Sequence, residues 1–328
     1  MAALPVYTIS IGDPAGVGPE VTIKACRDSS LHALGRWVIV GEAWQVQELA
    51  NQYGLTIDQV IQSLDELEEN SKVAVLDAGR IAKQDVTVGE VNAACGHASI
   101  QYVKMAAELC IAGKSRAMVT GPISKEAVAA SGIEGFCGHT EYITELCGLE
   151  TCRMMLWNET VCVIHVTTHC SLFDAVTKID QQRILETIQI GNQAMRDLGF
   201  ENPQLCICGL NPHAGENGMF GTEEIDLIIP AVEQAQAEGI QITGPYPADT
   251  LFMQAVRGKC DMVIAMYHDQ GHVPMKLYDF EHTVNVTLGL PIVRCSVDHG
   301  TAFDIAGQGV ADPVDMQTAM KLAVDLTS

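Results

Sequence analysis

The chain has 328 residues, 48% hydrophobic and 18% charged, with 29 Gly and 12 Pro dispersed along it. That composition excludes a disordered, collagen-like or low-complexity protein and allows one very large domain or two lobes around a sizeable core. Asp plus Glu number 41 against 19 Lys plus Arg, a formal charge of −22. This is the wrong sign for a general nucleic-acid binder or a protein held on anionic lipid.

An anionic substrate must therefore be captured by a local basic cluster working against the overall field. The first basic residue is Lys24, so the N-terminus lacks the charged head of a signal peptide and the expected location is the cytoplasm. Apolar stretches such as 161–166 fall far short of the roughly 18 residues that span a bilayer. The 12 Cys are scattered, and reduced thiols packed as small hydrophobes are the expectation.

In chain order, a Val/Ile-rich run at 6–11 predicts a buried strand, followed by G-D-P-A-G-V-G-P-E at 12–20. Gly12, Gly16 and Gly18 permit a tight turn and close backbone approach, and Pro19 suits a first helical position. The spacing differs from the G-x-G-x-x-G fingerprint, so a bare turn and a ligand loop fit the pattern equally. Strands are predicted at 37–40 and 73–76, with the acidic run 65–69 between them read as a solvated face. The period predicts a helix over 91–112 and a strand over 117–120. The strand leads into T-G-P-I-S-K (120–125), where Ser124 is a candidate N-cap and Lys125 could meet an anion or simply face solvent. G-H-T-E (138–141) opens a helix.

Further along, strands are predicted at 161–165, 205–208 and 262–266, and helices at 179–198 and 222–238. Thr222 followed by Glu223 and Glu224 reads as an N-cap with acids in the first turn. Strand–helix alternation of this kind predicts an α/β fold with mostly parallel sheet. Such sheets put ligand loops at the carboxyl ends of their strands.

Histidines gather at those ends: T-T-H (167–169), N-P-H-A-G-E (211–216), Y-H-D-Q-G-H (267–272) and D-H-G-T-A (298–302). A lone loop histidine is ordinarily a hydrogen-bonded surface or core residue. Three of them, His169, His213 and His268, at equivalent strand ends favour convergence on a divalent metal, because neutral imidazole is its commonest ligand and three protein ligands leave an open position. His165 lies inside an apolar run and reads as a satisfied core residue, while His32, His97 and His282 lack supporting context. Basic residues are scarce, so Lys276 and Arg294 are informative. With Asn285, His139 and Thr140 they can form a clamp for phosphate and carboxylate, although ordinary surface pairing accounts for any one of them.

Together these motifs resemble the 4-hydroxythreonine-4-phosphate dehydrogenase family of vitamin B6 biosynthesis. The resemblance runs in order over nearly the whole chain, through GDPAGVGPE, TGPISK, GHTEY, TTH, GLNPHAGENG, GTEEID, PADT, AMYHDQGH, VNVTLGLP and VRCSVDHGTAFDIAG. The family is similar to the isocitrate/isopropylmalate dehydrogenase group. That implies a two-lobed α/β fold with mostly parallel sheets flanked by helices and the active site in the interlobe cleft. Residues 1–135 with 286–328 would form the cofactor-side lobe, and 136–285 the metal, substrate and dimerisation lobe.

The resemblance further implies that His169, His213 and His268 hold a divalent metal (Zn, Mg, Co or Mn), with ligands from both subunits of a homodimer. It implies that His139, Thr140, Lys276, Asn285 and Arg294 bind substrate. Gly12 and Asp13, with His299, Gly300, Thr301 and Ala302, would contact NAD or NADP, and Asp249 would lie near the metal. The general base stays open between Asp249, Lys125 and a metal-bound water.

The implied reaction oxidises and decarboxylates 4-hydroxythreonine 4-phosphate to 3-amino-2-oxopropyl phosphate. Departures at G-H-V-P-M-K-L (271–277), with His272, and at E-N-G-M-F-G (216–221) look more like a sister branch acting on D-threonate or D-erythronate 4-phosphate. A relative acting on a terephthalate cis-dihydrodiol is disfavoured, since G-H-T-E and T-G-P-I-S-K are intact. The alternatives are a metal-dependent hydrolase or phosphatase and a non-catalytic metal- or metabolite-binding module; the H-G-T-A segment favours the dehydrogenase, since a hydrolase has no need of a cofactor-binding segment.

Overall fold

A computed structural model describes residues 3–328. The short Val/Ile-rich runs form the strands of an α/β structure: β1 (Val6–Ser10), β2 (Arg36–Gly41), β3 (Gln59–Ile61), β4 (Val73–Asp77), β5 (Ala117–Thr120), β6 (Arg153–Trp157), β7 (Cys162–His165), β8 (Leu205–Cys208), β9 (Ile242–Tyr246), β10 (Met262–Ala265), β11 (Val284–Leu288) and β12 (Val293–Ser296). β5, β7, β8 and β10 are buried at every residue. Strands covered by helices on both faces need such continuous apolar runs.

The chain packs as two compact units. One comprises the residues up to Cys152 together with Leu290–Ser328. Its strands run in the order β3-β4-β2-β1-β5-β12, and every pair is parallel. The other is Arg153–Gly289, with order β11-β6-β7-β10-β8-β9. There β7, β10, β8 and β9 are parallel, whereas β6 pairs antiparallel with both β7 and β11. β9 ends its row, where Pro245 removes a donor that only an edge strand can spare.

Helices form close to their expected bounds. Asn92 caps Ala93–Ile111 by accepting from Ala94 N and Cys95 N, and Asp180 caps Gln181–Asp197 by accepting from Arg183 N. Ser124 caps Lys125–Ala130, accepting from Ala127 N at 3.1 Å, and Gly18–Ala25 carries a proline in its first turn. The expectation at Thr222 is overturned. Among the described residues its hydroxyl makes no capping bond; a wide turn, Glu224–Ile228, precedes the helix Ile229–Ala237, and the two glutamates serve the loop after β8 instead. Eight cysteines are buried, and all twelve are free thiols. Burial alone pushes the Cys26 thiol up to about 12, which makes it inert. Among the described residues, no helix is long and apolar enough to cross a membrane.

Candidate functional site

In the unit Arg153–Gly289, the expected histidines do follow strand ends. β7 continues into Thr167, whose N–H and hydroxyl both donate to the Met266 carbonyl, at 3.2 and 2.7 Å. β10 continues through Tyr267 into the helix His268–Tyr278. Buried Gln270 ties these ends to a third. Its Oε1 accepts from Met266 N at 2.6 Å, and its Nε2 donates to the Gly209 carbonyl at 2.8 Å. Gln270 is not legible from the sequence, because a glutamine used as a brace has no spacing signature.

This framework puts the His169 and His268 rings 5.9 Å apart, centroid to centroid. Both line a cavity of about 460 Å³ with Thr168, Tyr267 and Asp269. His169 sits at φ 32°, in the left-handed region that a β-carbon disfavours. His268 Nδ1 lies 2.7 Å from Asp269 Oδ1. A carboxylate can only accept, so Nδ1 donates to it and Nε2 is the nitrogen left to meet a ligand. A carboxylate behind one imidazole nitrogen is the usual support for a metal ligand at the other.

Two further imidazoles back this pair. His165 Nδ1 is 3.2 Å from the Met154 carbonyl, and His272 Nδ1 is 3.1 Å from both His165 Nε2 and the His268 carbonyl. Burial pushes His165 down to about 4. Burial also lowers His272 to about 2, the adjoining His165 and His268 rings further disfavouring a positive charge there, so His165 and His272 are neutral at pH 7. His165 is the satisfied core residue expected from its apolar run.

His213 is held separately. It begins five successive left-handed residues, 213–217, four of them not glycine, and its ring lies 5.9 Å from that of Phe220. Buried Glu224 clamps the base of this loop, accepting from Asn211 N at 2.7 Å and from Asn211 Nδ2 at 3.0 Å; Glu223 accepts from the same amide at 2.6 Å. A β-carbon on Gly215 would come within 2.6 Å of the Glu224 carboxylate. Among the described residues, no three His, Cys, Asp or Glu side chains of one chain gather closely enough to hold a metal. The chemistry of His169 and His268, two imidazoles on one cavity wall, does fit a borderline divalent cation. Lys276 is half-buried on the same helix as His268, with its ammonium 5.5 Å from the Phe280 ring. Asn285 on β11 is buried, and its Oδ1 has no hydrogen-bond partner among the described residues. Asp249 is exposed in the first turn of Ala248–Ala255.

The other unit holds the guanidinium. Arg294, on β12, is only 2% exposed. Its Nε and Nη2 donate to Thr120 Oγ1 at 3.2 and 2.7 Å, and its Nη1 to Thr140 Oγ1 at 3.5 Å. Burial depresses it to about 10, so it remains cationic. His139 bonds to the Gly121 backbone, and its Nε2 is buried with no partner among the described residues. Burial first, then the positive charges of Arg294 and Lys125, hold it well below the usual imidazole range. Lys125 is exposed at the start of its helix.

The glycine-rich loop after β1 lies against the following strand-end loop. A Gly12 β-carbon would sit 2.3 Å from the Pro122 carbonyl, and Asp13 N donates to that carbonyl at 2.8 Å. The Asp13 carboxyl is buried, accepts from Ala15 N at 2.9 Å and bonds to the Ser124 backbone. Desolvation raises it to about 6. Val17 N donates to the Thr301 carbonyl at 2.9 Å, which joins this loop to the H-G-T-A segment. In that segment His299 Nδ1 donates to the Gly300 carbonyl at 2.9 Å, and Ala302 adopts φ 42°. A second cavity of about 250 Å³, lined by Pro14, Gly16, Trp44, Lys83 and Gly307 among others, adjoins the loop.

A mostly parallel α/β chain with imidazoles and a buried guanidinium beside its strand ends is an arrangement suited to a metabolic enzyme acting on small anions. The particular family follows from comparison. Residues 33–323 match the model of PdxA, pyridoxal phosphate biosynthetic protein. The chain is 42% identical over 328 residues to D-threonate 4-phosphate dehydrogenase of Cupriavidus necator, covering 99% of this chain and 98% of that protein. It is 42% identical over 322 residues to 4-hydroxythreonine-4-phosphate dehydrogenase of Beijerinckia indica, covering 97% and 94%. Its fold matches the crystal structure of a 4-hydroxythreonine-4-phosphate dehydrogenase from Burkholderia phymatum with TM-score 0.85, 44% identity and 99% coverage of both chains. The chain belongs to the PdxA family and is an oxidoreductase of the 4-hydroxythreonine-4-phosphate dehydrogenase type.

Proposed function

We propose that this protein oxidises a four-carbon, 4-phosphorylated hydroxy acid with NAD or NADP and decarboxylates the product. The observation that carries the reading is the His169–His268 pair on one cavity wall, with the His268 proton held on Nδ1 by Asp269. His169 and His268 would hold a divalent metal with His213, the ligands coming from both copies of a homodimer. The exposed apolar side chains Leu172, Phe173, Met219 and Leu277 of the same unit support such a partner.

Arg294, aligned by Thr120 and Thr140, binds phosphate or carboxylate, and His139, Lys276 and Asn285 add polar contacts to the substrate. Gly12 and Asp13, tied to Thr301, shape the cofactor side, with His299, Gly300 and Ala302 on the adjoining segment and the 250 Å³ cavity beside them. When bound, the cation would supply Lewis-acid stabilisation of negative charge on a substrate oxygen, and a nicotinamide would supply the hydride acceptor. Asp249 and Lys125 are the chain's own candidates for moving the hydroxyl proton. In this reading the two units serve one reaction, as in the two-lobed isocitrate and isopropylmalate dehydrogenases.

The relatives act, by name, on C2-amino or C2-hydroxy substrates at equal identity. The deciding experiment compares 4-hydroxythreonine 4-phosphate with D-threonate and D-erythronate 4-phosphates, following absorbance at 340 nm with each cofactor. Reduction with one of them identifies the substrate. Phosphate release without reduction would instead support a hydrolase and refute the proposal.

A further inference from the structure

The His268, His272 and His165 side chains form a stack with fixed proton positions. The His268 and His272 rings lie 3.6 Å apart at 11°, close to parallel. They are four residues apart on one helix, which places them one above the other on the same face. The His165 ring lies 4.7 Å from that of His272. Space for it depends on Gly271, since a β-carbon there would sit 2.2 Å from His165 Nε2.

The hydrogen bonds dictate the tautomers. His165 Nδ1 faces a carbonyl and must donate, so Nε2 of its neutral ring accepts. His272 Nδ1 therefore donates, shared between His165 Nε2 and the His268 carbonyl, each 3.1 Å away. The stack is anchored on β7, where His165 is 1% exposed, and ends at His268 on the cavity wall.

We infer that His272, held by His165, is a positioning residue that sets the plane of the His268 ring, so that His268 Nε2 is presented to a metal. This rests on the reading of His268 as a metal ligand. Groups that orient a ligating imidazole from outside the coordination sphere are worth about 10- to 100-fold in metal affinity, and His272 would act in that way through stacking rather than through a hydrogen bond to the ring. Leucine at 272 fills the space but provides neither the flat face nor the Nδ1 proton.

Two measurements test the inference. In the first, metal-free full-length protein and its His272→Leu variant are titrated with Zn²⁺ alone against a competing chelator, with the denaturation midpoint recorded for each. The expected result is a 10- to 100-fold weaker Zn²⁺ affinity in a variant that still folds cooperatively. An affinity within threefold of wild type overturns the role of His272. Failure of the wild-type chain to take up Zn²⁺ refutes the metal reading on which the inference rests. In the second, ¹⁵N NMR of the metal-free wild-type protein at pH 7.5 reads the imidazole tautomers and does not depend on how the variant folds. The protons of His165 and His272 are expected on Nδ1; a His272 proton on Nε2 overturns the inference.

Discussion

Cutting the Glu224 clamp tests whether the loop carrying His213 is held under strain. Four non-glycine residues between 213 and 217 are left-handed. Each such residue costs about 1–2 kcal/mol, roughly 4–8 kcal/mol together. Conformations of that kind persist only where surrounding contacts over-determine them. The Glu224 carboxylate supplies two such contacts, to Asn211 N and Nδ2. Hydrogen bonds to a charged group contribute about 1.5–3 kcal/mol each, and two that share one residue add incompletely. Glu224→Ala is therefore expected to lower the unfolding free energy by about 2–4 kcal/mol and to open the loop. Urea denaturation measures the first effect, and limited proteolysis between residues 211 and 221 the second. Glu224→Gln keeps one acceptor and should fall between. An Ala variant with an unchanged denaturation midpoint and a protease-resistant loop would show that Glu224 does not hold the strain.

Arg294→Lys removes the paired donation to Thr120, with an expected loss of about 1.5–3 kcal/mol in substrate binding. KM for the phosphorylated substrate should rise at least tenfold with a smaller change in kcat, and a KM within twofold of wild type would exclude the clamp. His213→Ala should lower bound metal and activity together in a folded protein; unchanged metal content on elemental analysis removes His213 from the ligand set. Stability of the metal-free protein should fall with acid. His165 and His272 have folded pKa values, about 4 and about 2, below that of free imidazole, so the unfolded chain takes up protons first as pH drops through about 6.5. Each costs about 2 kcal/mol between pH 7.5 and 5, and Asp13, raised to about 6, offsets about 1 kcal/mol of that. Chemical denaturation at the two pH values checks the net loss, and equal stability would contradict the neutral stack.

The parallel α/β architecture was legible because buried strands need runs rich in apolar residues, and β1, β2, β4, β5, β7, β8 and β10 have them, although Thr8 and Ser10 interrupt β1. The other strands were not expected for local reasons. β3 has three residues, β9 contains Gly244 and Pro245, and β6, β11 and β12 carry Arg153, Asn285 and Arg294 within their runs. The strand-end histidines stood out through their polar, turn-rich settings. What supports them did not: Gln270 and Glu224 act through contacts 61 and 13 residues away. Thr222 misled because local capping chemistry and a long-range clamp call for the same acidic residues.

The Gln270 amide reaches Met266 N on one strand end and the Gly209 carbonyl on another. Neither loop can then be retuned alone. A change in backbone course after β8 alters the seat of the helix that begins at His268, so variation in one segment needs a matching adjustment in the other. Divergence of pocket shape among relatives should therefore proceed by paired replacements across these two connections, with the glutamine retained between them.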